Sequence, residues 1–554
     1  MVAFQCRSRM EKRKTLFEGI ESEIYSEMKK MRSAWLVSLA LWVVAGSACQ
    51  SGKEVRNEEF AVDPVAIVNP VLPGDHPDPT VVKVGEFYYA SATSNEWAPL
   101  FPIFKSADLV NWEIVNYVFP EGAPDWARNN FWAPELAYDE KQGKVYAYYT
   151  ARDKESNRLS VAVASADSPE GTFTDHGPLV AQELGSIDAY EVRDEKGKLF
   201  LTWKEDGNSK GQPTPIWAQE INEERTELLG EPHELFRNDE EWEMHLIEGI
   251  SIFRKNDYFY ATYSAGACCD VACNYRAGVA RAKNLLGPWE KYEKNPVLMD
   301  NADWKCAGHG TVVKKGDDHY LLYHAYSTVG SVYVGREGVL EKINWTEDGW
   351  PVFENKATYD REKSSLTYTD DFSGSLNPIW QWRVTQHIQY TTGDHGLILD
   401  ASEENEQLGT LLVQKSTSPD YTIEVTIDPA ESDAMGGILL VGGAHNGFGA
   451  PVAGMGIAVT DGEVQVIENR DQALEVKATG KLAGHAVVKL KMEVTEGHLL
   501  SFSYLQDGAE WSTVGGQYDA AHLVPWGMGY RLGIFAKGKT DQQVNYKQVN
   551  ISAN

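Results

Sequence analysis

Basic residues are scarce in this chain. Its 554 residues carry 51 Lys and Arg against 81 Asp and Glu, a net charge of −30. Binding a phosphate backbone needs the opposite balance, so nucleic acid is excluded as a partner. The charge reads as a solubilising surface. Long apolar runs are also nearly absent. The most prominent, AWLVSLALWVVA at 34–45, is too short to span a bilayer as a helix. Cysteine is sparse, with six in all. Cys6 and Cys49 lie near the front, whereas Cys268, Cys269, Cys273 and Cys306 share one region. In an exported protein these four can oxidise, and three pairings are open. Zinc is the rival reading, and the C-C-x3-C spacing argues against it.

The short apolar run is placed like a signal peptide. Lys29, Lys30 and Arg32 precede it, and Gly46-Ser47-Ala48 follow. Cys49 comes next, as in a bacterial lipoprotein signal, and is the candidate lipidation site. Membrane contact is then expected only through a lipid anchor. Gly46 replaces the usual leucine, which leaves simple secretion open. Residues 1–49 are expected to be the leader, with Met28 or Met31 as the start of translation.

Aromatic residues are plentiful. The chain has 17 Trp and 26 Tyr, with 42% apolar residues overall, which excludes a disordered chain. Such a content suits both an all-β core and the stacking of sugar rings.

A template recurs about every 50–60 residues, a period typical of blade-like repeats. A polar residue opens each unit, followed by an extended run, a Gly-, Asp- or Asn-bearing turn and an aromatic strand. The units begin at Asp78 (DPTVVKVGEFYYASAT), Glu135, Asp188, Glu248 and His309. Each reads as a β-hairpin followed by further strands, which is one propeller blade. Five blades predict a five-bladed β-propeller over 65–351. Their first strands line one axis, so the five opening residues are expected to share one structural position and to meet in one axial pocket. The competing reading sets some of them in solvent at hairpin starts. Crowded carboxylates perturb one another's ionisation, the signature of a chemical site.

Cleavage of a glycosidic bond needs a carboxylate to activate water and a carboxylic acid to protonate the leaving oxygen. Asp78, held in HPDP between two prolines, suits a rigid base. Glu248 sits in LIEGIS, where Leu246, Ile247 and Ile250 are expected to keep it protonated as the acid. Asp188, in SIDAY, is placed to tune Glu248.

At these residues the chain resembles glycoside hydrolase family 43. The matching pieces are NPVLPGDHPDPTVV, FWAPE at 131–135, SIDAY, IEGISIF, GHG at 308–310 and GREGVL at 335–340. The resemblance implies a five-bladed propeller and inverting hydrolysis, with Asp78 as base, Asp188 as pKa modulator and Glu248 as acid. It implies substrate contacts for Trp132, Glu135, His309 and Arg336, and water or a structural calcium near His309, with no cofactor otherwise required. A hydrogen-bonded core histidine is the alternative for His309. CCDVAC at 268–273 looks like an insertion relative to the family and is expected at the pocket rim.

Residues 352–366 are charged and unpatterned and read as a linker. From 367 to 554 alternating strands without the repeat predict a two-sheet β-sandwich of concanavalin-like type. Its opening, DDFSGSLNPIWQW, resembles the C-terminal domain of some family 43 xylosidases and arabinofuranosidases. Such a domain either binds sugar through Trp380 and Trp382 or packs on the propeller and walls its pocket. The function expected is an exo-acting inverting glycosidase on plant oligo- or polysaccharide, releasing α-L-arabinofuranose or β-D-xylose. A galactose-type exo-glycosidase on the same scaffold is the alternative within that class. A non-catalytic glycan-binding propeller lipoprotein and a protein-interaction propeller are the alternatives outside it.

Overall fold

The computed structural model describes residues 66–554 apart from 270, 329–330, 366, 404–407, 443–451, 461, 471–472, 507, 509, 524–527 and 554. The leader and Cys49 therefore lie outside the described residues.

Five antiparallel sheets follow one another along residues 80–342, and we call them blades I to V. Blade I contains Thr80–Val84, Phe87–Ser91, Leu100–Ser106 and Glu113–Phe119. Blade II contains Ala127–Asp139, Lys144–Asp153, Leu159–Ala166 and Thr174–Val180. Blade III contains Ser186–Arg193, Leu199–Glu205, Ile216–Ile221 and Leu228–Phe236. Blade IV contains Ile247–Lys255, Tyr258–Ala265, Arg276–Ala282 and Glu290–Lys291. The first hairpins form where the turn chemistry predicts. Gly85, Asn256 and Gly316 each supply a left-handed residue to a two-residue loop, the geometry that matches strand twist.

Blade V has three strands of its own, Trp304–Lys315, Asp318–Ser327 and Arg336–Lys342. The chain before blade I completes it. Leu72 bridges Gly338, while the Asn69 amide donates to the Leu340 carbonyl and its side-chain oxygen accepts from the Leu340 N–H. A Cβ at Gly338 would lie 2.7 Å from that of Leu72, so the closure needs glycine there. One apolar cluster fills each junction between neighbouring blades, including V to I through Val71, Val81, Leu322 and Leu340. Burial of each such side chain contributes about 1.5–3 kcal/mol, and it makes ring closure cooperative.

The expected linker is a fixed connector. Phe353 is buried, the Tyr359 N–H donates to Asp303, and that of Asp360 donates to the Asn69 carbonyl. Its charges point outward while a few apolar residues anchor it, which is why no periodicity shows. The C-terminal region is a sandwich of a nine-stranded and a six-stranded sheet around one core. Trp380 is fully buried in that core and donates its indole N–H to Asp370, and Trp382 packs against it.

The sandwich is built onto the propeller. Trp382–Arg383 pairs with Trp97–Ala98 of blade I. Arg531, fully buried, holds Asp75 at 3.0 Å and lies over the Trp97 ring with Arg383.

Candidate active site

The propeller axis shows a regularity the sequence template missed. Each blade carries a left-handed residue in or just before its inner strand: Asp78, Ala133, Asp188, Gly249 and His309, with φ of 53°, 42°, 57°, 60° and 43°. Strand register slips beside the last four, as in β-bulges. Four of the five are not glycine, a costly conformation that marks sites held by their surroundings. Glu248 thus stands one residue before the shared position, and Glu135 two residues after it.

That offset corrects two expectations. The five opening residues do not share one structural position. Glu135 does not reach the pocket; it turns into the axial core, accepts from Thr311 at 2.9 Å, and burial pushes its carboxyl up to about 8. Trp132 and Ala133 line the pocket from blade II instead.

The pocket holds a cavity of about 290 Å³ whose wall includes Asp78, Asp188, Glu248, His309, Arg336 and Trp132. Burial disfavours the Asp78 anion, but Arg336 at 3.2 Å and His309 at 3.3 Å outweigh that and hold its pKa well below the usual range. The Thr93 hydroxyl donates to its other oxygen at 2.7 Å. The Asp78 N–H donates to Nδ1 of His324, so that nitrogen carries no proton. Burial, with the Arg336 charge, accordingly lowers the pKa of His324 to about 4.

Glu248 is not in the apolar setting expected from its sequence neighbours. Its Oε2 accepts from Lys204 Nζ at 2.7 Å, and Oε1 from the Tyr275 hydroxyl at 2.9 Å. Burial alone would raise its pKa, but the Lys204 cation reverses the sign and lowers it. The apolar neighbours are real, yet Ile247 and Ile250 face the junction with blade III. Lys204 comes from the second strand of that blade and also holds Asp206 at 2.9 Å. Asp188 accepts the Gly249 N–H at 3.0 Å, and burial together with the Glu248 charge raises its pKa to about 6. A Cβ on Gly249 would lie 2.7 Å from the His309 ring, so glycine is required where these groups converge.

Trp132 donates its indole N–H to Asn95, fixing a ring on the wall. Met528, from the sandwich, closes one side. The carboxylate 3.3 Å from His309, Asp78, is already engaged by Arg336 and Thr93. Calcium asks for six to eight oxygens, and the described residues contain no group of three or more His, Cys, Asp or Glu able to hold a metal. The four cysteines form two disulfides, Cys268–Cys269 and Cys273–Cys306, which removes the zinc reading. Cys268 and Cys269 stand on the pocket wall.

Sequence reasoning missed Lys204, Tyr275, His324, Thr93 and Met528. Each reaches the pocket from a second strand, a later loop or the other domain, where local sequence carries no sign of the axis.

Residues 67–351 match the family described as "Glycosyl hydrolases family 43". The chain is a member of that family. As a family 43 glycoside hydrolase it is a glycosidase, and residues 369–549 match "Beta xylosidase C-terminal Concanavalin A-like domain". A similar relative is xylosidase/arabinosidase 43B of Humicola insolens, 25% identical over 504 residues, covering 82% of this chain and 89% of the relative. Another is the xylan 1,3-beta-xylosidase of a Vibrio species, 28% identical, covering 51% of this chain and 57% of the relative. Among solved structures, the family 43 protein BlXynB of Bacillus licheniformis superposes with a TM-score of 0.72 at 24% identity, over 88% of this chain and all of that one. This last likeness is one of fold.

Proposed function

We propose that this family 43 enzyme releases single β-D-xylose or α-L-arabinofuranose units from the ends of plant polysaccharide fragments, with inversion at the anomeric carbon. The observation that carries this reading is that one pocket brings together two carboxyl groups, Asp78 held by Arg336 and Glu248 held by Lys204 and Tyr275. Asp78, kept ionised, takes a proton from the attacking water. Glu248 delivers a proton to the leaving oxygen as the anomeric bond breaks. Asp188 holds the Gly249 amide and, when ionised, opposes the pull of Lys204 on Glu248. Trp132 offers its ring to the terminal sugar, and Arg336 orients Asp78. The sugars are supported by the names of the relatives, and end-wise attack by the wall that Met528 and the blade loops raise around the pocket. The leader and the two disulfides support export to an oxidising compartment, with lipid attachment at Cys49.

A panel of nitrophenyl glycosides tests the sugar: turnover is expected on β-D-xyloside or α-L-arabinofuranoside and not on β-D-galactoside. The first-formed anomer, followed by NMR, should be inverted; a retained anomer rejects the water-activating role of Asp78. Early release of internal fragments from a long polymer would reject end-wise attack.

A further inference from the structure

The vicinal disulfide belongs to no step of the mechanism above, yet it stands on the pocket wall. Its position follows from strand pairing. In blade IV Glu248 pairs with Ser264 and Ile247 with Ala265, so the loop leaving Ala265 starts level with Glu248. The loop is pinched at its neck, where the Ala267 N–H donates to the Asn274 side chain and the Asn274 N–H to the Ala267 carbonyl. Its far end is stapled by Cys273–Cys306 to the inner strand of blade V, close before His309. Tyr275, the next residue but one after Cys273, is the one that donates to Glu248. The loop is therefore fixed at both ends beside Glu248, the residue that would protonate the leaving oxygen.

Cys268 and Cys269 face the cavity from this loop, with Asn208 and Ser209 of the corresponding blade III loop and Met528 of the sandwich. Two adjacent thiols would present rotating, polar S–H groups. Joined, they form a small rigid ring whose sulfurs have no proton to donate and present a soft, polarisable surface. Such a surface suits the C–H face of a sugar ring, and its rigidity spares the entropy of ordering a flexible side chain. Asn208 and Ser209 supply amide and hydroxyl groups for the ring's edge.

Building on the glycosidase reading, we propose that the Cys268–Cys269 disulfide forms the apolar wall of the subsite for the leaving-side sugar, the unit just beyond the scissile bond. The test compares two substrates that both need the acid but differ in that unit: an unsubstituted oligosaccharide of the released sugar, and the methyl glycoside of the same sugar. In the full chain, Cys268→Ala/Cys269→Ala is expected to lower kcat/KM on the oligosaccharide about tenfold, mostly through KM, and to leave the methyl glycoside within twofold. Met528→Ala, across the same wall, is expected to show the same split at about threefold, and decides the matter if the double variant does not fold. An equal loss on both substrates means that the loop only holds Tyr275 and Glu248, and overturns the proposal, as does no loss on either. Failure of the wild-type protein to hydrolyse the methyl glycoside would instead reject the glycosidase reading itself.

Discussion

At the scale of residues, the site is governed by two cation–carboxylate pairs and one pair of carboxylates. Arg336 with Asp78 keeps a base ionised. Lys204 with Glu248 pulls an acid's pKa down, and Asp188 beside Glu248 pushes it back up when ionised. Asp78→Asn should lower kcat by about 10³–10⁴-fold on every substrate, in line with loss of a general base. Glu248→Gln should do so on methyl glycosides and far less on dinitrophenyl glycosides, whose leaving groups depart without a proton. Equal losses on both would show that Glu248 is not the acid. Lys204→Met tests the tuning. Removal of the cation raises the Glu248 pKa, so the acid stays protonated to higher pH. The alkaline limb of the kcat/KM profile should move to higher pH, read on a methyl glycoside. An unmoved limb would remove Lys204 from the acid's electrostatics.

At the scale of elements, the inner strands carry both chemistry and instability. In or just before each lies a left-handed residue, with a register slip beside it in blades II to V. The repeat was legible as alternation and turns, but the bulges were not, because a one-residue slip leaves no mark in composition. That is why Glu135 looked equivalent to Asp78 and is not. Its burial has a measurable consequence. With a folded pKa of about 8, Glu135 stays protonated in the native state while the unfolded chain ionises above about pH 4.5. Native protein then binds more protons, so stability falls as pH rises from about 5 to 8. Glu337, also raised to about 8, adds to the slope. Glu135→Gln should flatten that fall by on the order of 3 kcal/mol, measured as urea unfolding at pH 5 and pH 8. An unchanged slope would place the titration elsewhere.

At the scale of the whole molecule, the sandwich is part of the active site's support. Arg531 reaches across to Asp75, whose Oδ1 accepts the Arg336 N–H, and Arg336 in turn holds Asp78. Both Arg531 and Asp75 are inaccessible to solvent, so truncation leaves a buried charge without its partner. Arg531→Ala should destabilise the protein by about 3–5 kcal/mol. It should also lower kcat/KM although Arg531 does not line the pocket. Full activity in a folded Arg531→Ala protein would show that the two domains are energetically but not functionally joined.

The sequence by itself determined the blade number, the sandwich, and the three carboxylates of the site, because strand period, turn residues and short motifs are local properties. Asp78 between prolines and Asp188 and Glu248 at strand starts were recognisable before any fold. The tertiary structure alone decided what those carboxylates face. Lys204 and His324 arrive from second strands and Tyr275 from a loop of blade IV, in an order around the axis set by ring closure, and Met528 and Arg531 arrive from another domain. It also chose between the cysteine pairings, since which thiols meet depends on how a loop of blade IV lies against the inner strand of blade V. Ionisation depends on distance in space, and distance in space between remote segments is what folding supplies.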